Sequence, residues 1–151
     1  MPTGVTLTEI TPGSTGSWQD VDVSALVPAG ATGIIAYYNN VDVSAQQMGL
    51  RKKGSTDDRH SPAIRAGSHG WASIGIDANR VLQIYVADAT NQNVYLVGYY
   101  GTEAVFFDDA IDLSPATTGS WVGADISSHT GADTAIAAFL ETASSAAEAY
   151  G

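Results

Sequence analysis

The chain has 151 residues, of which 44% are hydrophobic and 15% charged, a composition typical of a packed domain and not of a disordered chain. It contains no cysteine, so disulfide bonds and thiolate metal sites are excluded. Its formal net charge of −10 repels phosphate groups, and we therefore expect no nucleic-acid partner.

The N-terminal segment lacks the features of a secretory signal peptide. Residues 1–4 lead into neither a basic stretch nor an apolar one. No run in the sequence reaches the ~18 apolar residues that a membrane span needs. We therefore expect no signal peptide and no membrane partner.

Alternating and short apolar segments predict β-strands in the first part of the chain. Polar and apolar residues alternate in 20–24 and in 47–52, as they do in strands with one solvent face. Residues 34–38 form an apolar run directly after a turn signal at 28–30. The local patterning is that of strands throughout.

The segments that follow complete a β-rich pattern. A further strand is predicted at 71–76 and ends at the turn residues 77–79. Residues 81–86 and 94–97 are apolar at nearly every position, as central strands are, and the loop 91–93 between them suits a hairpin. The first hundred or so residues thus hold about seven or eight short strands. The sequence predicts an all-β fold, an antiparallel β-sandwich of the jelly-roll or immunoglobulin-like type.

An internal repeat follows this region. Residues 12–24 recur as residues 115–127, with Trp18 and Trp121 at equivalent places and the same spacing of the flanking Thr, Gly and Ser. A chance match is disfavoured because tryptophan is rare and the pattern agrees on both sides of it. We interpret residues 115 onward as a partial second copy of the opening module.

The repeat divides the chain into two predicted modules. Its period of about 102 residues is typical of tandem domains and too long for solenoid repeats. Residues 1–101 are predicted to form a complete β-sandwich module. Residues 102–151 correspond to an incomplete second repeat, which another subunit or further sequence would complete. Removal of residues 102–151 is expected to leave a folded monomer.

The incomplete repeat is predicted to expose apolar side chains and an open sheet edge. Trp121, Ile136 and Phe139 belong to this half and would lack the strands that cover them. An open edge invites strands from another chain. We therefore expect these three residues to line an interface between copies in a homo-oligomer.

The basic residues are confined to the middle of the chain, and the part after residue 80 carries acidic charges alone. One interpretation is a basic patch (Arg51, Lys52, Lys53 and Arg59) that docks on the acidic half of another copy. The other is a charged strand end beside a solvated acidic surface. Consecutive basic residues in a strand lie on both of its faces, so at least one charge is expected to point inward toward an acid.

No motif for catalysis or nucleotide binding is present, so we predict that the chain is not an enzyme and needs no cofactor. Pairs such as Asp20 with Asp22 and Asp108 with Asp109 could donate oxygen ligands to calcium, but a solvent-facing acidic surface is the preferred interpretation. We expect most aromatic side chains to pack in the core. Trp71 is the best candidate for an exposed ring that stacks on a sugar.

Three segments of the sequence resemble those of a known family. They are residues 49–59, residues 69–77 with His-Gly-Trp and Gly-Ile-Asp, and residues 94–100. They resemble a recurring β-sandwich module of structural proteins from tailed bacteriophages and related prophages, over about residues 15–101. The resemblance transfers no catalytic or binding residue. It implies a place in the virion, as a capsid decoration, head fibre, or tail or baseplate component.

The first functional interpretation is accordingly a non-enzymatic virion structural protein that self-associates and contacts other virion proteins in an extracellular particle. The alternative is a β-sandwich that binds a carbohydrate or a host surface. Exposed aromatics such as Trp71 beside hydrogen-bonding side chains would favour that alternative. A further alternative is a bacterial surface filament subunit that uses strand exchange.

Overall fold

The computed structural model describes residues 3–58, 60, 63–117, 119–130 and 135–140. This part of the chain contains seven β-strands and one turn of 3₁₀ helix. The strands are β1 (Thr3–Glu9), β2 (Gln19–Asp22), β3 (Gly33–Asn40), β4 (Met48–Lys52), β5 (Ser68–Gly75), β6 (Val81–Val86) and β7 (Gln92–Tyr100), and the 3₁₀ turn is Ser127–His129. The chain divides into two compact units, Met1–Ile111 and Asp112–Gly151. No helix in the described part is long and apolar enough to cross a bilayer.

The first unit is a sandwich of two antiparallel sheets, which confirms the predicted all-β antiparallel fold. One sheet has four strands in the order β1-β7-β3-β5, and the other has three in the order β2-β6-β4. β6 and β7 are the central strands that their apolar sequences predict, since each lies between two neighbours. The pattern of β1 is not recognised from the sequence, although this strand forms the edge beside β7.

The core lies between the two sheets and follows the alternation of each strand. In β6 and β7 every second residue is buried, because successive side chains point to opposite faces. The fully buried side chains include Ile34, Leu82, Ile84 and Leu96. Burial of each such side chain stabilises the fold by about 1.5–3 kcal/mol.

Two buried amides close one end of the sandwich. Asn40 at the end of β3 is fully buried and lies opposite Gln92 at the start of β7. Its Nδ2 donates to the carbonyl oxygens of Ser44 and Ile64, both at 2.9 Å. Its Oδ1 accepts a bond of 3.0 Å from the backbone N–H of Asp42. Asn40 therefore ties the loop after β3 to the segment before β5.

Gln92 likewise connects two backbone segments, the turn after β6 and the residue before β4. Its Oε1 accepts from the backbone N–H groups of Ala87 and Asp88 at 2.8 and 2.9 Å, and its Nε2 donates to the carbonyl of Gln47 at 3.0 Å. A buried amide is tolerated when its donors and acceptors are satisfied in this way. The two side chains thus hold the loops at this end in one arrangement.

The ten or so residues after β7 continue as part of the first unit, which ends at Ile111 and not at residue 101. We call residues 102–111 the strap. The Phe106 side chain lies on Gly33 and Gly75, with its ring over Gly33 and its Cβ over Gly75, so that a side chain at either glycine would overlap it. Its ring centre is 5.4 Å from that of Tyr100. The absence of side chains at these two glycines makes room for the ring.

The far end of the strap is held by a polar loop. Asp109 accepts hydrogen bonds from the hydroxyls of Ser55 and Thr56 at 2.8 and 2.9 Å, and from the backbone N–H of Thr56 at 2.7 Å. Gly54 turns the chain just before these residues with a φ of 93°, a value that glycine adopts without strain. The strap is therefore fixed to the sandwich through both an apolar and a polar contact.

The described residues of the second unit form no strand, and the predicted second copy of the sandwich is not confirmed. The pairing in the first unit gives the physical reason. β2 pairs with β6, and β3 pairs with β5 and β7. The repeat provides counterparts of β2 and β3, which belong to different sheets, and residues 112–151 contain no counterpart of the strands with which they would pair. Isolated strands are not stable in water.

Candidate functional site

A row of aromatic side chains crosses the outer face of the four-stranded sheet. In the register of the sheet, Tyr37 of β3 lies opposite Trp71 of β5 on one side and Tyr95 of β7 on the other. The ring of Tyr37 is 5.1 Å from that of Trp71, edge to face, and 6.1 Å from that of Tyr95. These contacts have the geometry of favourable cross-strand aromatic pairs.

Trp71 is the exposed member of this row. Its side chain is 60% exposed, whereas Tyr37 and Tyr95 are half-buried. Tyr37 contacts the Trp71 ring at an interplanar angle of 62°, and most of the Trp71 surface remains in solvent. The prediction of an exposed Trp71 is confirmed.

A polar row runs beside the aromatic one, two residues along the same strands. His69 lies opposite Asn39, which lies opposite Asn93. Asn93 Nδ2 donates to Asn39 Oδ1 at 2.9 Å, and the ring of His69 is 5.8 Å from that of Tyr37. The set that we call the aromatic face consists of Trp71, Tyr37, Tyr95, His69, Asn39 and Asn93.

The sequence contains a pattern that indicates the aromatic face, but it becomes visible only when three strands are compared. Each of β3, β5 and β7 carries an aromatic residue two positions from a polar ring or amide: Tyr37 with Asn39, Trp71 with His69, and Tyr95 with Asn93. Residues two apart on a strand share a face. Trp71 was identified, but its two tyrosine neighbours were expected to lie in the core.

The outer face of the three-stranded sheet is occupied by a network around Arg51. Its Nε donates to Gln83 Oε1 at 2.8 Å, its Nη1 donates to the carbonyl of Asp57 at 2.6 Å, and its guanidinium lies 4.2 Å from the ring centre of Trp18. Lys53 pairs with Asp20 at 2.7 Å. These two basic side chains thus have partners within their own chain.

Lys52 points the other way, as the rule of alternating faces predicts. Its Nζ donates to the carbonyl of Phe106 at 3.0 Å and pairs with Asp108 at 2.7 Å, so its acidic partner is supplied by the strap. A hollow of about 410 Å³ lies nearby, between the strap and the ends of β3 and β5. Arg59, the fourth residue of the predicted basic patch, lies outside the described residues.

Trp18 is covered by residues that follow it in the chain. Its indole N–H donates to Asp58 Oδ1 at 2.7 Å, and its ring contacts Tyr85 and His60 at 5.9 and 6.1 Å. His60 in turn stacks on Tyr85 at 4.1 Å. With Arg51 on one side, the ring is half-buried.

The equivalent Trp121 has a different environment. It is 90% exposed, and the two other residues predicted to line an interface, Ile136 and Phe139, are 99% and 67% exposed. The residues that cover Trp18 lie between positions 51 and 85, and the second repeat contains no counterpart of them. The exposure of all three side chains agrees with the expectation from the sequence.

The acidic pairs considered as calcium ligands are engaged elsewhere. Asp20 contacts Lys53 and Gln83, Asp108 contacts Lys52, and Asp109 is held by the loop at residues 55–57. No three His, Asp or Glu residues in the described part of the chain are arranged to hold a metal ion.

The hydrogen bonds to Asp109 lower the pKa of this carboxyl below its ordinary value of 3.8, chiefly through the hydroxyl of Ser55 and then through the backbone and hydroxyl of Thr56. A lowered pKa in the folded state gives stability that is present above pH 3.8 and is lost as the pH falls through the folded value. Asp109→Asn is expected to be less stable than the wild type at pH 6, and this difference should shrink below pH 3. Urea unfolding of both proteins at each pH measures it. An equal difference at both pH values would contradict the assignment.

The sequence was compared with protein-family models and with curated proteins. Neither comparison finds a match.

Proposed function

We propose that the chain is a non-enzymatic structural module that associates with further copies of itself through its second unit. The observation that carries this proposal is the contrast between the two equivalent tryptophans. Trp18 is packed against Arg51, Tyr85 and His60, whereas Trp121 is 90% exposed. Exposed apolar side chains that are grouped in one segment are typical of interaction sites.

The exposed apolar side chains of the second unit support association, because contact with another copy would remove them from water. Ile136, Phe139 and Leu140 add to the apolar surface of Trp121, and each of them is more than half exposed. Burial of apolar area is the main driving force for association. The second units of two copies are therefore the surfaces that we propose to meet.

The wider setting follows from the sequence resemblance to β-sandwich modules of bacteriophage structural proteins. In that setting the module would act in the virion, as a capsid decoration, head fibre or tail component, beside other virion proteins. A sandwich followed by a unit with exposed apolar side chains suits such a role. This placement is part of the proposal.

Light scattering across a range of concentrations tests the association. The whole chain is expected to form a dimer or larger assembly, and the double variant Trp121→Ser, Phe139→Ser to run as a monomer, because the apolar contact surface is removed. Trp71→Ala is the matched control, since it removes an exposed aromatic from the first unit and should leave the mass of the assembly unchanged. A whole chain that stays monomeric at high concentration would rule out self-association.

A second candidate function is recognition of a carbohydrate or a host surface. It is favoured by one specific observation, the exposed ring of Trp71 beside the amide pair of Asn39 and Asn93. This candidate needs no contact with the second unit, so the two functions can coexist in one chain.

A further inference from the structure

We propose that the aromatic face is a binding site for a neutral polysaccharide chain. The site lies on the outer face of β5, β3 and β7, within the first unit, and it goes beyond the proposed self-association. The proposed ligand is uncharged, carries hydroxyl groups and has an apolar ring face. Three properties of the face lead to this ligand: an exposed ring, unused hydrogen-bonding groups and the sign of the local charge.

The exposed ring provides the apolar contact. A pyranose ring has C–H groups on its faces and hydroxyls around its rim, so it packs on an aromatic ring while its hydroxyls stay available for hydrogen bonds. Trp71 is 60% exposed, and its ring centre lies 5.1 Å from that of Tyr37. A tryptophan that served only to stabilise the sheet would be expected to bury more of its surface.

The polar row provides the groups that orient a sugar. The hydrogen bond between the two amides uses one N–H of Asn93 and the amide oxygen of Asn39. No partner among the described residues takes the amide nitrogen of Asn39 or the amide oxygen of Asn93. Together with the exposed imidazole of His69, they offer both donors and acceptors to hydroxyl groups.

The alignment of the face favours a chain over a single sugar. Trp71, Tyr37 and Tyr95 lie directly opposite one another on three adjacent strands, so the row crosses the sheet at right angles to the strands. Strands are spaced about 4.8 Å apart, and the row therefore extends over about 10 Å. A row of this length is suited to successive sugar units of a linear polymer, with Trp71 as the stacking ring and the half-buried tyrosines beside it.

The charge distribution favours a neutral ligand. The aromatic face contains no lysine or arginine, and Glu9 of β1 lies opposite Tyr95 at its end. The net charge of the whole chain is −10. An anionic glycan or a nucleic acid would be repelled by this surface, whereas a neutral polysaccharide would not.

Affinity electrophoresis in native gels tests the proposal. The probes are soluble neutral polysaccharides (a β-1,4-glucan derivative, a xylan, a galactomannan and dextran), with alginate as an anionic comparator. At least one neutral polymer is expected to retard the whole chain, and alginate is expected not to. Trp71→Ala should weaken the retardation by about tenfold or more, because loss of one stacking contact has an effect of this order.

The matched control is Val105→Ala, which shortens an exposed apolar side chain of the strap, outside both the aromatic face and the second unit. It should retain wild-type retardation, and Trp71→Ala should retain the wild-type thermal midpoint and assembly mass. Failure of every neutral polymer to retard the protein would overturn the site, as would equal weakening by the two substitutions. Self-association is judged by mass alone, so either proposal can fail without the other.

Discussion

Asn40→Ala is expected to lower the free energy of unfolding by about 3 kcal/mol, the largest effect of any single polar substitution in the first unit. Asn40 is fully buried, and its side chain bonds to the loop after β3 and to the segment before β5. The variant leaves a small cavity and removes the partner of buried backbone groups, which cannot reach water without loosening the loops. Urea unfolding followed by tryptophan fluorescence measures the loss.

Two further variants separate this explanation from a general effect of substitution in β3. Asn39→Ala changes the neighbouring amide on the solvent side, and we expect it to lower stability by less than about 1 kcal/mol. Asn40→Asp keeps the size and the acceptor that Asp42 uses, but it turns a carboxylate toward the carbonyls of Ser44 and Ile64. It should be at least as damaging as alanine at neutral pH. An aspartate variant of wild-type stability would show that the donated bonds contribute nothing.

Truncation is expected to have the second large effect, and its position should matter. A chain that ends at residue 111 should unfold with the stability of the first unit in the whole protein. A chain that ends at residue 101 keeps both sheets and should still fold, but it should be less stable by at least about 2 kcal/mol, the contribution of Phe106 packing alone. Thermal and urea unfolding of the two fragments measure the difference.

The internal control is Phe106→Ala in the fragment that ends at residue 111. Loss of the ring leaves the space above Gly33 and Gly75 empty, and we expect about 2 kcal/mol of destabilisation, because the ring is half-buried. The polar contact through Asp109 should remain. Equal stability of the fragments that end at 101 and 111 would show that the strap does not contribute to the fold.

The sequence predicts the sandwich well where local pattern decides the structure. The alternation around Val21 predicts β2, and the apolar runs of β6 and β7 predict their central places. The strap could not be predicted in this way. Its acidic, turn-rich sequence resembles a linker, and its attachment depends on two glycines that lie far away in the chain and share one end of the sandwich.

In the candidate site, too, the sequence predicts single residues but not the alignment of residues from different strands. Trp71 was recognised from its own surroundings, but its alignment with Tyr37 and Tyr95 depends on the register of three strands. A shift of one residue would send either tyrosine to the core. The sequence leaves the basic cluster open between a docking patch and a charged strand end, because the partners of its side chains, such as Trp18 for Arg51, lie elsewhere in the chain. Whether the cluster also contacts another copy stays a prediction.

The strap also determines how the first unit would bear a mechanical load. β1 begins beside the end of β7, with Thr3 opposite Tyr99, so tension between the N-terminal strand and the second unit would peel the two strands apart from their shared end. Strands peeled in this direction break their hydrogen bonds one after another. The contacts of Phe106 and Asp109 hold the chain after β7 and take up the pull first. The strap thus shields the junction between β1 and β7 from traction along the chain.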